Sequence, residues 1–450
     1  MLTILSTIVG LSVLILVHEL GHFFAAKAVN IQVPRFSLGF GKTLWGFRIG
    51  ETEFVLSAIP LGGYVKMAGM EDDEAAEALE GPGAATVEEV DPERTFDQKS
   101  IPARVLVISA GVIMNLLFAW LVFSGIMLAY GNPRVTETRV STAGLRETPA
   151  AFAGVREGAR LVAVNGMPVR EWNDLDSALA KAGRQAQLQF ADAPPVSLAL
   201  PVPGPSRDSL LAALAPWVPP VIERVDRGKP AARAGLRAGD RVTSAAGAPV
   251  QSWQQLVRAI QTHAEKPLPV TVERGGKALG LTLTPDAAKG QDGEGRPITI
   301  GRAGAASQGA RYVRDRVGVG KAFAGGAQAT WGVASQIVEL LGKLVKGEIS
   351  ARSMGGILSI GEASGQTAQL GFEVWLAFLA MFSVNLAVIN LLPIPILDGG
   401  HLMFLAFEAV RGRPLSVEAR VRLSQLGLAI VVALMLWANG NDVVRILFNR

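Results

Sequence analysis

The chain has 450 residues, 49% of them hydrophobic, and a mean hydropathy of +0.32, which places it among membrane proteins with room for several domains. Its 43 Lys and Arg against 39 Asp and Glu leave a net charge of only +4, and no basic run interleaves with aromatics, which argues against nucleic acid as a partner. Cysteine is absent, which excludes disulfides and thiolate zinc sites; any zinc must take its ligands from carboxylates and from four histidines, His18, His22, His263 and His401.

In chain order, the first apolar run, roughly Leu2–Ala26, is long enough to span a bilayer. Residues 1–17 contain no Lys or Arg, so the run does not read as a signal peptide. Inside it stand His18, Glu19, Leu20, Gly21 and His22. Two imidazoles at i and i+4 share one helix face and can grip one metal ion, and the Glu between them can take a proton from a metal-bound water. Ionisable groups at membrane depth are costly and usually functional, so this segment points to a zinc hydrolase working inside a bilayer.

Residues 31–67 alternate apolar and polar around Gly39, Gly41, Gly50, Gly62 and Gly63, the pattern of a β-hairpin pair, and the stretch from 71 is rich in Glu, Asp, Ala and Gly, the composition of a solvated loop. A second span follows at roughly Val105–Tyr130. The stretch 135–300 is soluble in composition and holds two similar halves. One runs Gly154-Val155-Arg156-Glu157-Gly158-Ala159, then Val164-Asn165-Gly166, then Trp172; the other runs Gly235-Leu236-Arg237-Ala238-Gly239-Asp240, then Ala246-Gly247, then Trp253.

Residues 320–346 form a moderately apolar, helix-like run. A span there would reverse the next one and put Asp398 on the opposite membrane side from His18 and His22, so the run is read as an amphipathic helix on the outer surface. The third span is Val374–Leu392 and the fourth is Leu423–Trp437. From the end of the third runs Asn390-Leu391-Leu392-Pro393-Ile394-Pro395-Ile396-Leu397-Asp398-Gly399-Gly400-His401. Its prolines break the helix at membrane depth, which is tolerated where backbone lines a cavity. Two histidines from one helix need a third ligand from elsewhere; Asp398 is favoured, with His401 the competitor.

Positive charge near the span ends sets the orientation. Lys27, Arg35, Lys42, Arg48, Lys99 and Arg104 lie between spans one and two, and Arg411, Arg413, Arg420 and Arg422 between spans three and four. Both connections are expected in the cytoplasm, and both termini and the long soluble stretch outside it. The expected layout is a polytopic α-helical membrane protein. It runs as span one (1–30), a β-hairpin region (31–70), a flexible cytoplasmic loop (71–102), span two (103–131), two soluble halves (135–216 and 217–290), amphipathic helices and linker (291–372), span three (373–392), the Leu-Asp-Gly segment (393–420), span four (421–440) and a tail (441–450).

Together these motifs, with Gly111-Val112-Ile113-Met114-Asn115 in span two, resemble the site-2 proteases of peptidase family M50, and within them the RseP type of bacterial regulator-of-sigma-E protease. The two soluble halves resemble the PDZ domains of bacterial proteases, α+β modules that bind an extended chain end by strand addition. The first half departs from the second at Ala159 and the second from the first at Ala245-Ala246. The resemblance implies one Zn2+ held by His18, His22 and Asp398, with Glu19 as general base. It implies that Asn385 and Asn390 contact substrate, that Gly154, Val155, Gly158, Gly235, Leu236 and Gly239 form PDZ ligand loops, and that residues 35–67 form a membrane re-entrant β-loop that pairs with an unwound substrate. The implied setting is the bacterial inner membrane, with membrane lipid around the spans. The implied partners are single-span membrane proteins of the anti-sigma factor type and remnant signal peptides. Asn385 and Asn390 could instead serve interhelix hydrogen bonds, and for Asn115 the two roles stay open. Met354-Gly355-Gly356-Ile357 stands where the family usually shows a Gly-Pro pair. Two other classes remain: a PDZ-bearing membrane binding module with structural zinc, which has no need of Glu19, and a zinc transporter, which would want more polar residues along spans two and four.

Overall fold

A computed structural model describes residues 2–70, 91–143, 154–202, 214–291, 297–310, 312–347 and 355–448, with Phe152, Arg207, Leu210 and Leu211. Most of the expected loop at 71–102, and Met354, lie outside these residues. The chain forms two compact units, one made of the part up to Tyr130 with Arg316–Phe448, the other of Gly131–Asp315.

The first helix, α1 (Leu2–Ala28), is an unbroken apolar run. It ends in a Schellman motif: Asn30 takes a left-handed φ of 57°, its N–H reaches Lys27 O, and the Ile31 N–H reaches Ala26 O at 2.8 Å. Strands β1 (Arg35–Ile49) and β2 (Thr52–Lys66) follow. They fold as one ribbon doubled on itself rather than as two separate hairpins. Phe36 stands opposite both Val65 and Phe54, and Ser37 opposite both Tyr64 and Val55, while the far end pairs 43–49 with 52–57. Gly39 and Gly41, at φ of 98° and 83°, make the bend, and the 63–66 stretch is left as an outer edge. Arg94 and Lys27 clasp Glu51 at the ribbon's turn; the Arg94 guanidinium first, and Lys27 after it, hold the Glu51 carboxyl down at about 2. Helix α2 (Ile101–Tyr130) comes next.

In the second unit β3 (Asn132–Val135) pairs with β18 (Tyr312–Asp315), so entry and exit are hydrogen-bonded together. The first module contains β4 (Arg139–Ser141), β5 (Ala159–Val164), β6 (Met167–Pro168), α3 (Trp172–Lys181), β7 (Gln185–Phe190), β8 (Val196–Ala199) and β9 (Ala215–Pro216). Its sheet order is β8-β7-β5-β4-β9, with β6 on β5. The inward residues of alternating strands (Leu161, Leu188, Leu198) meet Leu175 and Leu179 of α3 in one core. The second module contains β10 (Arg224–Val225), α4 (Pro230–Arg233), β11 (Arg241–Ala245), β12 (Ala248–Pro249), α5 (Trp253–Gln261), β13 (Leu268–Arg274) and β14 (Lys277–Leu283), ordered β12-β11-β13-β14. It then continues through β15 (Asp286–Gln291), β16 (Pro297–Arg302) and β17 (Ala305–Ala306). The module therefore runs past the expected boundary at 290, because β17 pairs with β10 and Ala303 is buried in its core.

The two modules share a turn. Asn165-Gly166 and Ala246-Gly247 each place two consecutive residues at positive φ (50° and 76°; 50° and 78°), the backbone of a tight hairpin. Asn165 also accepts the Gln187 N–H at 2.7 Å, which Ala246 cannot do. In the second module Asp240 is fully buried and accepts from Arg274 Nε and Nη2 at 2.7 Å and from the Arg237 N–H at 2.8 Å. Burial pushes its carboxyl up, but those donors outweigh burial and hold it below the usual carboxylate range.

The chain returns to the first unit with α6 (Val319–Val345), α7 (Ile357–Leu370), α8 (Phe372–Asn390), α9 (Asp398–Arg411) and α10 (Val417–Phe448). Among the described residues four helices are long and apolar enough to cross a membrane: α1, α2, α8 and, to Val444, α10. Helix α6, expected as an amphipathic surface helix, packs against α2 and α8. Ala322, Gly326 and Thr330 form a small-residue stripe, Gly326 lies against Ser124 and the Trp120 carbonyl, and Trp120 Nε1 donates to Phe323 O at 2.8 Å. The last helix overruns the expected limits of 421–440 at both ends, and most of the expected tail is helical. Its polar residues are used: Asn439 Oδ1 accepts the Ile357 N–H at 3.1 Å and Asp442 accepts the Ser359 N–H at 2.9 Å, so α10 caps α7 where Gly356 offers no side chain.

Two substitutions test the second unit. Ala246→Asn should raise the melting temperature, by about 0.5–1 kcal/mol of stability, because Asn tolerates the left-handed conformation that Ala resists; calorimetry measures it. Asp240→Ala should cost about 1–2 kcal/mol by removing a buried acceptor shared by Arg274 and the Arg237 N–H. Because the folded-state pKa of Asp240 is depressed below the usual ~3.9, its contribution is full above that pH and lost as pH falls through the folded value. The gap in melting temperature between parent and variant should thus narrow below about pH 4.

Candidate metal centre

The site starts from a helix pair. Gly21 of α1 lies where any Cβ would strike the Ala110 carbonyl of α2, and Gly111 of α2 lies where a Cβ would strike the rings of His18 and His22. The two backbones can approach only because both positions are glycine. His18 and His22 are both buried against this surface. His22 Nδ1 lies 2.9 Å from Val107 O, so Nδ1 carries the proton and the Nε2 lone pair is free. His18 Nδ1 lies 3.2 Å from the side-chain amide of Asn115, a fully buried residue of α2.

The third group arrives on broken backbone. Helix α8 stops at Asn390, and the chain turns back through residues 391–397. Gly399 and Gly400 pack so tightly on the carbonyls of Leu391, Leu392 and Ile394 that a side chain at either would overlap them. Ile396 sits at φ 104°, a strained conformation for a β-branched residue. Asp398 is in the first turn of α9, where the helix dipole favours a carboxylate.

His18 Nε2, His22 Nε2 and the Asp398 carboxylate face one point. The separations are 3.2 Å between the imidazole nitrogens, 3.4 Å from His18 to Asp398 Oδ2 and 3.6 Å from His22 to Oδ1. A tetrahedral zinc with bonds of ~2.0–2.1 Å sets its ligand atoms about 3.3–3.4 Å apart. Asp398 Oδ2 is buried with no hydrogen-bond partner, an acceptor in want of a cation. Nitrogen, nitrogen and oxygen donors with an orphaned carboxylate oxygen thus fit zinc. Among the described residues this trio is the group of His and acidic side chains able to hold a metal, its atoms within 4.8 Å of one another.

A cavity of about 250 Å³ opens beside the trio and is lined by Glu19, Gly63, Tyr64, Asn390 and His401 among others. Asn390 Nδ2 lies 3.3 Å from His18 Nε2. His401 reaches the cavity but is not one of the clustered metal-holding groups. Asn385 is half-buried on α8 and is not among the lining residues. The β-ribbon edge comes up to the same point: a Cβ on Gly63 would meet Ile15 Cγ2 at 2.9 Å and Glu19 Cγ at 3.2 Å.

The residues proposed from sequence as ligand loops fall in the second unit. Gly158, at φ 78°, packs on the Trp217 ring, and Val155 packs against the first core. Gly154 lies 3.5 Å, measured from a Cβ, from Pro194. Gly235 and Gly239 have φ of 81° and 89°, and Leu236 is buried in the second core. Sequence reasoning missed three contributors to the metal centre. The Val107 carbonyl and Ser383, whose Oγ donates to Asn115 O at 2.9 Å, carry no motif. Gly427 of α10 lies where a Cβ would overlap the Pro395 carbonyl; a glycine in the apolar part of a helix was its one signal.

The model of peptidase family M50 matches residues 6–434. The regulator of sigma-E protease RseP of Escherichia coli (strain K12) is 35% identical over 467 residues, covering 98% of each chain. The protein of that name from Salmonella typhimurium (strain 14028s / SGSC 2262) is 34% identical over 464 residues, again 98% of each. A Pasteurella multocida (strain Pm70) protein named as a zinc metalloprotease is 36% identical over 458 residues, 98% of each. The chain belongs to peptidase family M50 and is a membrane zinc metalloendopeptidase of the site-2 protease kind.

Proposed function

We propose that the chain cuts single-span membrane proteins inside the bilayer, with His18, His22 and Asp398 holding one zinc ion and Glu19 as the general base. The observation that carries this reading is the meeting of two imidazole nitrogens and one carboxylate within 3.2–3.6 Å, on a cavity that Glu19 also lines. Zinc, when bound, supplies Lewis acidity that lowers the pKa of water to about 7 and polarises a carbonyl. Glu19 takes the proton of the attacking water and returns it to the leaving amine. The Asn390 amide, at the rim beside His18, donates to the substrate backbone or the developing oxyanion.

A peptide bond inside a membrane helix is already hydrogen-bonded, and each freed backbone group left unpaired in lipid costs several kcal/mol. The 63–66 stretch pairs with 35–38 and stands next to Glu19, so it is placed to take an unwound substrate as an added strand. This gives the β-ribbon the role of a membrane re-entrant loop. The two β-rich modules, each with a helix against its sheet and matching Gly turns, support a PDZ-like reading, as a size filter or a sensor of new chain ends. The Lys and Arg distribution supports a bacterial inner-membrane setting with both termini and the modules periplasmic and the cut near the cytoplasmic side. The relatives named for sigma-E regulation make a trimmed anti-sigma factor the leading substrate, with remnant signal peptides a second source of single spans.

Purified parent and Glu19→Gln are to be compared on a single-span substrate lacking its outward domain. The variant should lose about 10²–10⁴-fold in rate while zinc content, measured by metal analysis, stays at one per chain; retained cleavage overturns the reading. Unwinding also predicts a substrate effect. A Leu-to-Gly change beside the scissile bond weakens the helix by about 1 kcal/mol, so cleavage should rise about fivefold, read as initial rate by gel or mass spectrometry.

A further inference from the structure

The geometry points to Asn115 as a positioning residue whose side-chain oxygen accepts the His18 Nδ1–H and thereby directs His18 Nε2 onto the metal. The inference rests on the zinc reading above. Asn115 is fully buried where α1, α2 and α8 meet: its side chain lies 3.2 Å from His18 Nδ1, and its backbone carbonyl accepts from Ser383 Oγ. Its Oδ1 is buried without a partner. A buried amide with an unpaired atom is a standing cost to stability, so the residue is poorly explained as packing.

The cost has a use once the tautomer of His18 is considered. His18 Nε2 is the nitrogen that faces His22 and Asp398. A neutral imidazole that offers the Nε2 lone pair must carry its proton on Nδ1, and that proton needs an acceptor. Turning the Asn115 amide through 180° exchanges Oδ1 and Nδ2 without moving any other group and sets an oxygen against the Nδ1–H. One amide atom stays unpaired in either orientation, so Asn115 serves the His18 contact rather than its own satisfaction. The Gly111 carbonyl also borders the ring and, like Val107 O, keeps a second lone pair beside its helix-ladder bond, so it can share the Nδ1–H with Asn115. His22 has the matching support in Val107 O, eight residues earlier on the same helix. Helix α2 thus faces the outer nitrogen of both imidazoles, with backbone carbonyls at each and the Asn115 amide in addition at His18, and only that amide can be removed by substitution.

The test compares the full-length parent with Asn115→Asp, which keeps an acceptor oxygen, and Asn115→Leu, which has the size but no acceptor. Zinc affinity is measured by chelator competition in detergent, with thermal melting as the folding control. Asn115→Leu should bind zinc about 10–100-fold more weakly at a parental melting temperature, and Asn115→Asp should bind at least as tightly as parent. Parental affinity in Asn115→Leu overturns the assignment, as does equal loss in both variants, which would mark a packing role. If the parent itself takes up no zinc, the metal reading and this inference fall together; if the parent binds and Asn115→Leu matches it, only the inference falls.

Discussion

Everything at the candidate metal centre depends on how closely α1 can approach α2. Two helices with ordinary side chains at their crossing keep their backbones too far apart for an imidazole of one to reach a backbone carbonyl of the other. Here Gly21 meets Ala110 and Gly111 meets the two rings, so the gap is filled by the histidines themselves. The ring nitrogens then touch Val107 O and Asn115 on one side and are aimed at Asp398 on the other. In lipid, where water cannot serve as a substitute partner, this direct engagement is what makes two buried imidazoles tolerable.

The second half of the centre obeys the opposite demand. Where α1 and α2 must be continuous, the segment after α8 must break, because a carboxylate can be turned toward the imidazoles only by a reversal of the chain. Prolines stop the helix, Gly399 and Gly400 admit the reversed backbone, and Ile396 absorbs the remaining strain. Contact with Gly427 of α10 holds Pro395 from behind. Glycine thus acts at both halves by letting backbone occupy the space of a side chain, on one side to bring helices together and on the other to let a loop fold under.

The soluble unit is stabilised by different means, suited to water. Each module has its own apolar core under one short amphipathic helix, and each closes a hairpin with a two-residue left-handed turn. They differ where their sequences differ: the second module ties its Gly-rich loop to β13 through Asp240 and Arg274, and the first, with Ala159 at the matching place, instead engages Glu157 with Ser141 and Thr142.

The sequence alone determined the spans, because a membrane leaves a continuous apolar run no other place to go, and it determined the chemistry of α1, because i, i+4 spacing puts His18 and His22 on one face before any tertiary contact forms. The repeated Gly turns of the two modules were legible for the same local reason. What only the tertiary structure decided concerns residues brought together from far apart in the chain. Asp398 meets His18 across 380 positions of sequence; the sequence favoured it over His401, but the meeting itself is a matter of tertiary packing. The packing of α6 rests on a stripe of small residues that hydropathy scores as indifferent, and the length of α10 rests on Asn439 and Asp442 finding the bare N-terminus of α7. Asn385 and Asn390 looked alike in sequence, yet five residues of helix turn them to different faces, and only Asn390 lines the cavity. Which polar group a buried side chain meets is set by long-range packing, and that is the part of this protein that periodicity and composition do not encode.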